Sequence, residues 1–187
     1  MSRLNEVIEF RAHLDSESDR GCALMAAAFL DGELERQLRQ FVVDNTHITD
    51  DIFGQSRPIG TFSSRIDLAY LLGLIGSDAH RDLHLIRKIR NSFGHTHTPL
   101  TFEDESIASR CREMKNHFRV GHATVRQLFA STAVGILSII HAGMNTMTRI
   151  SECGNPDFQD VRKKINEHLL ASNNGQGTSN EDPHGNA

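Results

Sequence analysis

Proline is scarce in this chain, at 4 residues in 187. Little is therefore present to break helices, and no two runs of alternating apolar and polar residues flank a glycine turn, which argues against β-hairpins. Cysteine is scarce as well. Cys22, Cys111 and Cys153 are odd in number and far apart, which is neither a disulfide framework nor a zinc-ligand spacing and suits a reducing, cytoplasmic setting. Excess charge is missing: a formal net charge of −4 gives no overall basic character and no expectation of tight, sequence-independent nucleic-acid binding. A local basic patch stays open. Long apolar runs are missing too. The longest, "VGILSII", is too short to span a bilayer, and "MSRLNEVIEF" mixes charges into its apolar positions without the apolar region of a signal peptide. No membrane association is expected.

What is present reads as helix nearly throughout. A length of 187 residues, 38% hydrophobic and 24% charged, suffices for one domain with a core of its own. A short helix is predicted over 3–14 and a second over 19–44, with Ala27, Leu30, Leu34, Leu38 and Phe41 at spacings of three and four. The glycine and proline of "GQSRPIGTF" (54–62) mark a loop. The apolar "FSSRIDLAYLLGLIG" reads as a helix ending near Gly76, and Ser77 as the N-cap of the next, with Leu83, Ile86, Ile89 and Phe93 inward. Pro99 stops that helix. Thr101 and Asp104 suit a capping box opening a helix to about Met114. A nearly buried helix is predicted from about 120 to 151. Asn155 and Pro156 read as N-cap and N1 of a last helix ending near Leu170. The fold expected is an all-α, single-domain bundle of about six to eight helices over 1–171, followed by a disordered polar tail over 172–187. "AVGILSIIHAGM" is apolar around most of its circumference, which calls for a central helix or a dimer face, and a homodimer is expected.

The chemistry concentrates in "RKIRNSFGHTHTPLTF", residues 87–102. Asn91 and His95 are four apart and share a helix face, whereas Arg90 and His95 are five apart, about 140° around an ideal helix. Gly94 permits a distorted last turn that would bring them together. Arg90 borders the apolar face and needs a partner such as a carboxylate, backbone carbonyls or a phosphate. Metal-free RNA cleavage would use such a set: Arg90 as the cation beside the phosphorane, Asn91 to orient, and His95 to move protons, with a dimer supplying a second histidine. The competing reading is a helix C-terminus whose cations satisfy terminal carbonyls. Arg87, Arg90, His95 and His97 are the candidate binding residues.

Three other features are weaker. His80 and His84 are at i, i+4, but no third ligand accompanies them in sequence, so no metal is expected. Cys111 lies between Arg110 and Arg112, which would lower its pKa, yet no catalytic-cysteine motif surrounds it. "GLIG" follows a helix rather than a strand and is too short for a phosphate loop. No cofactor motif is present.

The block "RPIGTFSSRIDLAYLLGLIGSDAHRDLHLIRKIRNSFGH", residues 57–95, resembles the core of the mannitol operon repressor, or MtlR-like, family. That resemblance implies an all-helical bundle with a role in transcriptional regulation. No helix-turn-helix with an exposed basic recognition helix is legible, which favours regulation through a protein or nucleic-acid partner over direct DNA reading. "RNSFGH" also resembles the HEPN superfamily, whose active members are metal-independent endoribonucleases acting as dimers. On that resemblance Arg90 contacts phosphate, Asn91 orients and His95 transfers the proton, and RNA is the partner. A non-catalytic helical scaffold is the remaining class.

Overall fold

Every regular element among the described residues of this computed structural model is a helix, and no strand occurs among them. The structure describes residues 3–95, 99–118 and 123–174. Two units are formed, Met1–Ser151 and Glu152–Ala187. The first holds α1 (Arg3–Ser16), α2 (Asp19–Phe41), α3 (Thr46–Phe53), α4 (Phe62–Leu71), α5 (Ser77–His95), α6 (Glu105–Arg112) and α7 (Val125–Thr146). The second holds α8 (Phe158–Asn174), which carries Phe158, Val161, Ile165 and Leu169 exposed along one face.

The core is built on α7. An unbroken buried stretch from Phe129 to Leu137, then Ile140, His141 and Met144, meets α1, α2, α5 and α6. The apolar surplus of this helix is therefore consumed inside one chain, and it supplies no argument for a dimer. At 22 residues the helix is also long and apolar enough to cross a bilayer, a length that counting one unbroken apolar run had missed. Here it is a bundle core.

Long-range polar contacts fix the other helices around it. Arg126 on α7 pairs with Asp19 at 2.9 Å and donates to the carbonyls of Leu14 and Glu17, closing the C-terminal end of α1. Buried His141 lies 2.8 Å from Glu33 of α2 through Nε2. On α5, fully buried Asp82 accepts at Oδ2 from the backbone N–H of Lys115 at 2.9 Å and of Asn116 at 2.8 Å, and from the Asn116 side-chain amide at 2.8 Å. That brings Asn116 onto α7 at Gly135, where a Cβ would overlap the Asn116 carbonyl oxygen. Gly135→Ala is expected to cost about 1–3 kcal/mol, because the neighbour that must move is backbone. Thermal denaturation measures it, and an unchanged melting temperature would refute the close approach.

Helix boundaries depart from the sequence expectation wherever a cap outranks the apolar pattern. Gly73 at φ +70° ends α4 at Leu71, although Leu74 and Ile75 continue the apolar run and pack on the core from a turn. The eight-residue α3, capped by Asn45, was not expected at all. Asp104 is the N-cap position of α6, and it accepts from Thr101 N–H at 2.7 Å and Thr101 Oγ1 at 3.0 Å without capping the helix by its side chain. A Thr124–Gln127 capping box starts α7 some five residues later than the apolar pattern suggests. The N-terminal turn of α8 is held by Asp157, whose carboxylate accepts from Gln159 N–H at 2.8 Å, rather than by Asn155 and Pro156. That helix runs through Asn174, past the expected start of the tail, and residues 175–187 lie outside the described ones.

Candidate functional site

Arg87, Arg90 and Asn91 stand at i, i+3 and i+4 on α5, a spacing that puts them on one face. That face lines a cavity of about 380 Å³, whose other walls are Ala27, Ala28 and Asp31 of α2 and Thr61, Phe62 and Ser63 at the start of α4. The two alanines leave the space that larger α2 residues would fill.

The electrostatics favour an anion. Arg90 donates from Nη1 to Asn91 Oδ1 at 3.0 Å and forms no ion pair among the described residues. The Arg87 Nε is buried without a hydrogen-bond partner. Opposite them, the Thr61–Ser64 capping box satisfies the amides of Thr61 and Ser64 at 3.2 and 3.1 Å. With Thr61, Phe62 and Ser63 lining the cavity, the positive end of α4 borders it, although the capping box already uses two of the terminal amides. The single acidic residue of the lining, Asp31, is already held by Arg65 at 2.7 Å. Among the described residues, two guanidinium groups without carboxylate partners and one neutralised carboxylate leave the cavity net cationic.

His95 is not part of this cavity. It is the exposed last residue of α5, which runs helical through Gly94 with no left-handed turn there. The five-residue offset from Arg90 consequently persists, about 140° around the axis. His97 lies outside the described residues. A stitching role for Arg90 finds no support either, since its hydrogen bond goes to the adjacent residue of its own helix. The C-terminal carbonyl of Gly94 is met by Arg20 instead, at 3.4 Å.

A second arginine that stitches helices, beside Arg126, is Arg65, inside "SSRIDLAY". Its guanidinium pairs with Asp31 at 2.7 Å and Glu35 at 2.6 Å on α2, and donates to the carbonyls of Ile59 at 3.1 Å and Phe53 at 3.2 Å. An arginine placed among apolar helix positions was the available signal. The expectation that His80 and His84 lack a third ligand is corrected as well: Asp67 of α4 reaches both imidazoles.

Cys111 is buried, and desolvation pushes its thiol up to about 12, outweighing Arg110 and Arg112. Burial likewise raises Cys22 to about 11. Both thiols stay protonated and inert at neutral pH. Titration of the native protein with a disulfide reagent is expected to modify one thiol rapidly, that of exposed Cys153. A second fast thiol would contradict the burial of the other two.

No protein family and no curated protein matches this chain. Among solved structures, MtlR in the X-ray structure of the MtlR–HPr complex from Escherichia coli superposes on it with a TM-score of 0.60 and 17% sequence identity. That match covers 75% of this chain and 99% of that one. The chain is similar in fold to MtlR. The likeness in fold reaches beyond residues 57–95 to three quarters of this chain, and MtlR is a protein whose structure has been solved with a protein bound to it.

Proposed function

We propose that this chain is an MtlR-like regulatory protein that acts by binding a partner protein, with an acidic group of the partner seated between Arg87 and Arg90. The observation that carries the reading is the cationic cavity, where two guanidinium groups lacking carboxylate partners among the described residues share the lining with the first residues of α4. Its support from outside is the similarity in fold to MtlR, solved in complex with HPr. HPr from the host organism is therefore the partner to test. Calorimetric titration is expected to show saturable binding, weakened about tenfold or more in Arg87→Ala/Arg90→Ala, which is the loss of one to two charge-assisted hydrogen bonds. His95→Ala is expected to bind like the wild type. Absence of HPr binding would remove HPr as the partner, and full affinity in the double variant would remove the cavity as the contact.

A second reading is a HEPN-type endoribonuclease in a homodimer, favoured by the exposure of both Arg90 and His95 near one end of α5. A second copy would then supply what one chain keeps apart. Under this reading the wild type cleaves single-stranded RNA in EDTA and His95→Ala does not, while the regulatory reading expects no cleavage by either protein.

A further inference from the structure

We propose that Asp67, His80 and His84 form a transition-metal site, suited to Zn²⁺, that ties α4 to α5. His80 and His84 are one turn apart on α5, so their rings project from one face. Each presents Nε2 to the same oxygen of Asp67, Oδ1, at 2.9 Å. The three ligand atoms all lie within 4.8 Å of one another. Neither ring is loosely placed: His80 and His84 meet edge to face at 4.7 Å between centroids, and the Tyr70 ring lies tilted against that of His80 at 4.6 Å.

Two imidazole nitrogens and one carboxylate oxygen make a borderline donor set, the kind that selects zinc and its neighbours over calcium or magnesium. Ligands of a tetrahedral zinc stand about 2.0–2.2 Å from the ion and hence about 3.3 Å apart, so each 2.9 Å contact opens by about half an ångström while the two Nε2 atoms, within 4.8 Å of each other, adjust to the same spacing. The present geometry has two Nε2–H groups donating to one oxygen. For an ion to bind between them, each neutral imidazole shifts tautomer, its single proton moving from Nε2 to Nδ1 through solvent, so that Nε2 offers its lone pair to the metal and no proton is left over. The side chains of His80 and His84 are 27% and 21% exposed and that of Asp67 is 52% exposed. Solvent can enter, and a water completes the fourth position. A simple surface ion pair would need one histidine; here two converge on one oxygen from a second helix.

The test uses full-length, metal-stripped protein with Cys153→Ser, so that the exposed thiol does not compete, and two probes, Co²⁺ and Zn²⁺. One Co²⁺ per chain is expected to give the intense visible absorption of a tetrahedral N/O site, and Zn²⁺ is expected to displace it and to raise the melting temperature. His80→Ala and His84→Ala should abolish the tetrahedral spectrum. They should weaken Zn²⁺ binding by more than the roughly tenfold to hundredfold cost of losing an outer-shell partner. His84→Gln, which keeps a polar side chain of similar reach, should do the same, while His95→Ala should bind unchanged. Circular dichroism without metal checks that each variant is folded. Weak, non-saturable binding to the parent protein, or full affinity in His84→Ala and His84→Gln, would overturn the site.

Discussion

Arg65→Ala is expected to lower the stability of the first unit by about 3 kcal/mol, the scale for removing one partner of a buried ion pair, with some relief because the two carboxylates are partly wet. The side chain is 9% exposed, those of Asp31 and Glu35 are each 28% exposed, and four acceptors converge on the one guanidinium. Truncation removes the Arg65 partner of Asp31, leaves Glu35 to Arg39, and takes a donor from the carbonyls of Phe53 and Ile59. For a domain of this size the loss corresponds to a fall in melting temperature of about 6–12 °C. Arg65→Lys should recover little, because a single ammonium cannot serve acceptors on α2 and on the 53–59 segment together. Arg90→Ala, by contrast, should stay within about 0.5 kcal/mol of the wild type, as a solvent-exposed side chain bonded only to its neighbour. Equal losses from Arg65→Ala and Arg90→Ala would mean that structural and functional arginines have been assigned the wrong way round.

The second large effect is expected from Asp82→Ala. Its Oδ2 takes three donors, two of them backbone amides of the segment after α6. The donors belong to exposed Lys115 and half-exposed Asn116, so water can take over part of what they lose, and a total of about 2–3 kcal/mol is expected. Asp82→Asn keeps the shape and one acceptor oxygen, and should lose roughly half as much. Because Asp82 and Gly135 both act on Asn116, the double variant Asp82→Ala/Gly135→Ala should be less destabilised than the two single losses added together. Urea denaturation of the four proteins reads this directly, and strict additivity would show that the two residues support α7 separately.

The all-α class and much of the core were legible because a period near 3.6 survives tertiary context: Leu83, Ile86, Ile89 and Phe93 are all buried as their spacing implies, as are Ala27, Leu30, Leu34 and Leu38. The end of α4 was not, because "LLGLIG" keeps an apolar pattern while the chain turns back at Gly73. Apolar residues in a turn that packs on the core look like apolar residues of a helix. The candidate site was half legible. Arg87, Arg90 and Asn91 announce a common face by their spacing, but the walls that make a cavity come from α2 and α4, and no local rule reports a contact between elements 30 or 60 residues apart. Asp67 was invisible as a partner of His80 and His84 for the same reason, since a helix reversal separates them.

The position of α7 in the chain has a consequence for biosynthesis. Arg126 pairs with a residue 107 positions earlier, Gln37 donates to a carbonyl 103 positions later, and Arg3 reaches one 138 positions later. During translation, at about 5–20 residues per second, α1 and α2 leave the ribosome seconds before the helix that covers their apolar faces exists. A nascent chain stalled before residue 125 therefore presents Leu30 and Leu34 to whatever is nearby, and it should be cut rapidly by added protease. The same chain released after Ser151 should be resistant, so the last 27 residues of the first unit, from Val125 to Ser151, act as the switch between a chaperone client and a folded protein.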